Sequence, residues 1–194
     1  MRIIRSDRLL LVPVTPQNAR VLWSVLQQPN LREYQDLPDV DAAAFESTVA
    51  QRPRVLEPAA TGRFEWLVHF RLRECGNVAE PLGWVSLRIS DRTPAVAEIG
   101  YSIVRAHRGR GIASEAVAAL VEEGFDRGRL RCVRAYCVPE NASSRRVLGR
   151  NGFEDDGVLP HGATVRGRPV DVIAYSLERQ RWESLRTSPN SSAI

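Results

Sequence analysis

The chain has 194 residues, a formal charge of +4 and 43% hydrophobic residues, which suits one folded domain and excludes a disordered segment. All 27 cationic side chains are arginine; there is no lysine. That excludes a Schiff-base amine, a lysine general base and a Walker-type phosphate loop.

Met1–Arg8 carries charge throughout and has no signal-peptide core. Leu9–Val14 reads as a first strand, and Thr15-Pro16 as the cap and first residue of a helix running through Leu26. A loop and a second helix start follow between Pro29 and Glu46, carrying Glu33, Asp36, Asp39, Asp41 and Glu46 against Arg32. Phe64–Leu72 alternates apolar and polar residues as a strand does, Glu74–Glu80 is a turn region, and Leu82–Ile89 is the next strand. After a turn at Asp91–Pro94 comes a strand from Ala95 to Val104, then a helix from Ile112 to Arg127 closed by Gly128. Arg131–Val138 is a strand and Ala142–Arg150 a short helix ended by Gly152. Phe153–Leu159 and Val170–Leu177 are strands flanking a turn at Arg166–Pro169. Residues 187–194, rich in Ser and Asn, read as a disordered tail after one α+β domain spanning 1–186.

The apolar runs fall far short of the ~20 residues that span a bilayer, so no membrane partner is expected. Cys75, Cys132 and Cys137 are odd in number and form no C-x-x-C pair, which argues against a zinc site or disulfides and for a reducing cytoplasm, with no metal. The arginines are scattered rather than striped, so no nucleic-acid partner is expected.

The most informative stretch is Val104-Arg105-Ala106-His107-Arg108-Gly109-Arg110-Gly111-Ile112-Ala113, where a strand passes into a helix through two glycines. Glycines let successive N–H groups converge, and the helix N-terminus adds partial positive charge there. Such a turn binds phosphate or pyrophosphate through main-chain amides, with Arg105, Arg108 and Arg110 adding fixed charge. Gly109-x-Gly111-x-x-Ser114 nearly meets the dinucleotide fingerprint, but its third glycine is missing and no βαβ repeat precedes it.

Arg108-Gly109-Arg110-Gly111-Ile112-Ala113 resembles the Arg/Gln-x-x-Gly-x-Gly/Ala acetyl-CoA motif of the GNAT N-acetyltransferases. Asn141-Ala142-Ser143-Ser144-Arg145-Arg146-Val147-Leu148, closed by Gly152-Phe153, is similar to a second block of that family. Asp7–Leu11, Ala97–Tyr101, Ser114–Ala116 and the late Asp171, Tyr175–Leu177 and Trp182 resemble its ribosomal-protein-alanine acetyltransferase branch. The resemblance covers roughly residues 5–183. It implies a mixed, mostly antiparallel twisted sheet of six to seven strands flanked by about four helices, two strands splaying apart to admit acetyl-CoA. It also implies direct acetyl transfer to an amine, either a protein N-terminus or a small molecule, by a monomer or homodimer. The main-chain amides from Arg108 to Ala113 would hold the pyrophosphate. An N–H near Ile103 or Val104 would polarise the thioester.

Glu98 is the candidate base: alternation sets it with Gly100 and Ser102, opposite Ala97, Ile99, Tyr101 and Ile103. A solvated sheet face is the competing reading. Asn141 and Ser144 have two readings, as the cap and first turn of a helix or as cofactor ligand and thiolate partner. Tyr136 is a second candidate acid; Glu115 reads as structural, and His107 and Cys137 as bystanders. The acidic stretch Glu33–Glu46 either lines an entrance for a cationic amine or is a solvated face. A catalytically silent acyl-CoA sensor is the alternative function.

Overall fold

In a computed structural model of the chain, the structure describes residues 1–28, 34, 40–71 and 80–187. Glu33, Asp36, Asp39, Cys75 and the tail beyond Thr187, and the expectations that rest on them, lie outside the described residues. One eight-stranded sheet runs through the molecule in the order β1-β2-β3-β4-β5-β6-β8-β7. Its strands are β1 (Ile4–Arg5), β2 (Leu9–Pro13), β3 (Gly62–Phe70), β4 (Gly83–Ile89), β5 (Val96–Ile103), β6 (Cys132–Cys137), β7 (Glu154–Val165) and β8 (Arg168–Glu178). All neighbours are antiparallel except β5 and β6. The helices are α1 (Ala19–Leu26), α2 (Ala42–Ala50), α3 (Ile112–Asp126), α4 (Ala142–Arg150) and α5 (Arg179–Thr187). The α+β architecture with a mostly antiparallel sheet is as expected; β1 and α5 bring the described count to eight strands and five α-helices.

Strand alternation divides the sheet into two faces. Phe64, Trp66, Val85, Leu87, Ala97 and Ile99 point to the face covered by α3, where Ile112, Leu120 and Phe125 are buried against them. Burying such a side chain fully contributes about 1.5–3 kcal/mol. Leu67 and Trp84 point the other way and pack against Leu22, Val25, Phe45 and Val49 of α1 and α2.

The helix starts follow local chemistry. Asn18 accepts the Thr15 N–H at 2.8 Å and donates to Pro13 O at 3.0 Å, so Thr15-Pro16 forms a turn and α1 begins only at Ala19. Asp41 caps α2 by accepting the Ala44 N–H at 2.8 Å. Gly124 lets α3 lie close to Leu130 and to Leu87 of β4, because a Cβ there would meet their Cδ1 atoms at 2.9 and 3.3 Å. No described helix is long and apolar enough to cross a membrane.

Candidate active site

The parallel pair β5–β6 matches in only three registers, from Val96↔Cys132 to Glu98↔Arg134. Beyond Glu98, β5 continues to Ile103 beside β4, while β6 continues to Cys137 beside β8. A gap therefore opens in the middle of the sheet. Val104 N–H donates to Leu82 O at 2.8 Å, which fixes the main-chain parity of β5. Even-numbered residues direct N–H and C=O at β4, and Tyr101 and Ile103 direct theirs into the gap. Ile103 O, on that side, accepts Arg108 Nε at 3.0 Å. Val104 is thereby removed as a thioester donor, and Ile103 retains the right orientation.

At the wide end of the gap lies the glycine turn. Gly109 and Gly111 have φ of 75° and 74°, a left-handed conformation that glycine adopts without a Cβ clash. Gly111 is the N-cap of α3 and has no side chain to satisfy the first-turn donors. A Cβ on Gly109 would meet nothing within 4 Å, so the turn faces open space. Uncapped amides, a helix dipole and open space fit a pyrophosphate group. The expected set shrinks at one end, because Arg108 N–H is already donated to Arg105 O at 3.2 Å. The arginine side chains divide: Arg108 braces Ile103, Arg110 stacks 5.3 Å over the Phe70 ring, and Arg105 is exposed. His107 packs edge-on against Phe70, 6.1 Å between ring centres.

The turn is anchored from beneath by Glu115. It accepts the Arg8 N–H at 2.8 Å, Arg8 Nε at 2.7 Å and Ser6 Oγ at 2.7 Å, while Arg8 Nη1 donates to Arg110 O at 3.2 Å. Burial alone would raise the carboxyl of Glu115; the hydrogen bonds from Arg8 and Ser6 outweigh it and hold the group below its ordinary value. Its structural reading stands.

Across the gap, Asn141 caps α4 by accepting the Ser144 N–H at 3.0 Å, leaving its amide nitrogen as the group that could reach a ligand. Ser144 Oγ lies 2.8 Å from Tyr101 Oη, a bond spanning from β5 to α4. Burial drives the Tyr101 phenol far up, and the Ser144 bond offsets this only in part, so the phenol keeps its proton. Cys137 also hydrogen-bonds Ser144, and burial pushes its thiol up. The sequence presents Tyr101 only within a motif; the signal that singles it out is its position three residues from Glu98 on the opposite face of one strand. Tyr136 lies on the other side of the sheet, 38% exposed, away from Ser144.

Glu98 faces that other side, bound to Arg88 Nη2 at 2.5 Å across the β4–β5 pair. A cavity of about 550 Å³ opens over it, walled in part by Arg88, Arg134 and Tyr136. Glu98 is therefore neither a bare solvated group nor a solitary carboxylate. Asp41 and Glu46 of the acidic stretch are committed elsewhere, Asp41 to the α2 cap and Glu46 to Arg20 at 2.9 Å.

Residues 8–154 match the family described as the acetyltransferase (GNAT) domain. The uncharacterized N-acetyltransferase p20 of Bacillus licheniformis is 27% identical over 183 residues, 94% of this chain and 99% of that protein. Among solved structures, the ribosomal-protein-S5-alanine acetyltransferase of Vibrio fischeri superposes with a TM-score of 0.77 at 18% identity, covering 94% of this chain and 99% of that one. The ribosomal L7/L12 alpha-N-protein acetyltransferase RimL, solved with coenzyme A, gives a TM-score of 0.73 at 22% identity, covering 91% and 98%. With its gapped sheet and uncapped glycine turn, the chain belongs to the GNAT family and is an acyl-CoA-dependent acetyltransferase.

Proposed function

We propose that the chain transfers acetyl from acetyl-CoA directly to a primary amine, a protein N-terminus or a small molecule, entering from the Glu98 side of the gap. The observation that carries this reading is the opening between β5 and β6, with phosphate donors at one end and a carboxylate on the opposite face. Acetyl-CoA supplies an acetyl thioester when bound. The N–H groups of Gly109, Arg110, Gly111, Ile112 and Ala113 hold its pyrophosphate, and Asn141 Nδ2 and Arg105 steady it at the edges. Ile103 N–H polarises the thioester carbonyl, so negative charge developing on that oxygen meets a fixed dipole.

Glu98 takes a proton from the acceptor ammonium, directly or through water. The freed amine forms the N–C bond as the C–S bond breaks, and the nitrogen's surplus proton is lost to solvent. Tyr101 and Ser144, linked on the opposite face, donate a hydrogen bond to the departing sulfur and return a proton to it. The two proton transfers are thus kept on separate faces of one strand.

Release of free thiol from acetyl-CoA, measured against a panel of peptides and small amines, tests the reaction. Turnover on at least one amine supports it. Tight acetyl-CoA binding with no turnover on any amine would replace it with the sensor reading.

A further inference from the structure

The cavity over Glu98 is walled by Arg88, Glu98 and Arg134, three members of a cross-strand row that begins at Arg63. The registers place Arg63 opposite Arg88, Arg88 opposite Glu98, and Glu98 opposite Arg134, on four adjacent strands. The row itself therefore holds three cations and one carboxylate across ~14 Å of sheet. Like charges placed directly opposite one another destabilise a sheet, and the Arg63–Arg88 pair is such a placement. Burial, then the charge of Arg88, lowers the Arg63 guanidinium from its ordinary value, with Glu98 opposing.

Internal carboxylates offset this only in part. Glu98 is bound to Arg88 at 2.5 Å. Glu65, buried, pairs with Arg52 and stands 3.6 Å from Arg63. Arg134 makes no salt bridge with the described residues; it hydrogen-bonds the Cys132 thiol, which Glu178 also contacts. Asp91 is the one other carboxylate on the cavity wall, and the hydroxyls of Thr61, Ser90 and Thr93 line the same space. Guanidinium groups with hydroxyls around a ~550 Å³ hollow make a receptor for an oxyanion.

We propose that the acceptor is an amine that itself carries an anionic group: its ammonium sits against Glu98 and its carboxylate or phosphate on Arg134. This rests on the acetyl-transfer reading for the amine's position, and it departs from the preference for a purely cationic amine that an acidic entrance would give. The anion neutralises the row, and the Glu98–Arg134 register sets the acceptor's two charges one strand apart. Free acidic amino acids and peptides acidic at their second or third residue share this chemistry.

The test compares free glutamate, an acidic tetrapeptide and its basic counterpart, by turnover and by calorimetric binding with coenzyme A present, on wild type, Arg134→Gln and Arg134→Glu. Arg134 is exposed and outside the reacting groups, so these variants keep the fold. Wild type should favour acidic over basic acceptors. Arg134→Gln should raise the acidic acceptor's KM about tenfold or more, leaving the KM of acetyl-CoA unchanged. Arg134→Glu should turn the preference towards the basic peptide. Glutamate and the acidic peptide together tell a small acceptor from a peptide one. Equal handling of both peptides by wild type, or an unchanged acidic-to-basic ratio in Arg134→Gln, overturns the proposal. Arg134-dependent binding of the acidic probes with no turnover of any amine would keep this site and remove the proposed reaction.

Discussion

The two faces of β5 build their chemistry from different material. Towards α3 and α4 the groups are mostly main chain: the N–H of Ile103, the amides after Arg108, and the uncapped first turn of α3. Towards the open cavity they are side chains, Arg88, Glu98 and Arg134, each from a different strand. Main-chain donors have the same chemistry whatever the residue, so that half depends on backbone shape. The cavity half depends on the identity of each side chain and on sheet register, where a one-residue slip would turn every group to the other face.

Substitutions should separate the two halves. Glu98→Gln should lower kcat by about 10²–10⁴-fold across pH while acetyl-CoA binds as before; a variant retaining near-full kcat breaks the assignment of the base to the cavity face. Gly111→Ala forces a Cβ into a φ of 74°, at a cost of about 1–3 kcal/mol, with Arg8 Nη2 3.4 Å away. Its acetyl-CoA Kd should rise about tenfold with acceptor preference unchanged, as calorimetry would show. Tyr101→Phe removes a donor and keeps the ring. It should slow kcat by several-fold, to about tenfold, and the deficit should shrink with an acyl donor whose thiol leaves more readily. The smallest effect is on stability. The depressed carboxyl of Glu115 stabilises the fold above its unfolded value of about 4.3, and that contribution is lost as pH falls through the lower folded value. The Tm gap between wild type and Glu115→Gln should be widest near neutrality, narrow as pH falls past the unfolded value and close below the depressed folded one; a constant gap would mean that Glu115 anchors the turn by packing alone.

Legibility in the sequence followed the same division. The glycine turn and the bounds of α4 could be read because everything that shapes them is within a few residues: Gly109, Gly111, and Asn141 three positions before Ser144. The arginine row could not, because Arg63 and Arg134 meet on one face only through three successive registers. Nor did local pattern locate α5, which is held by tertiary contacts: Arg179 Nε donates to Leu130 O at 3.0 Å, and Trp182 lies 4.9 Å from the Phe125 ring. The early start assigned to α1 failed for a local reason, the Asn18 side chain folding back on Thr15.

The short β5–β6 ladder also makes the sheet two plates, five strands on one side and three on the other, joined along the segment Val96–Glu98 and tied by the Tyr101–Ser144 bond. The Tyr101 and Ile103 amides point away from the plate that carries them, into the gap. Deuterium should therefore enter these two positions well before it enters Ser102 or Val104, whose N–H groups face β4. A bound pantetheine arm filling the gap should close that difference, giving a readout of cleft occupancy that needs no turnover.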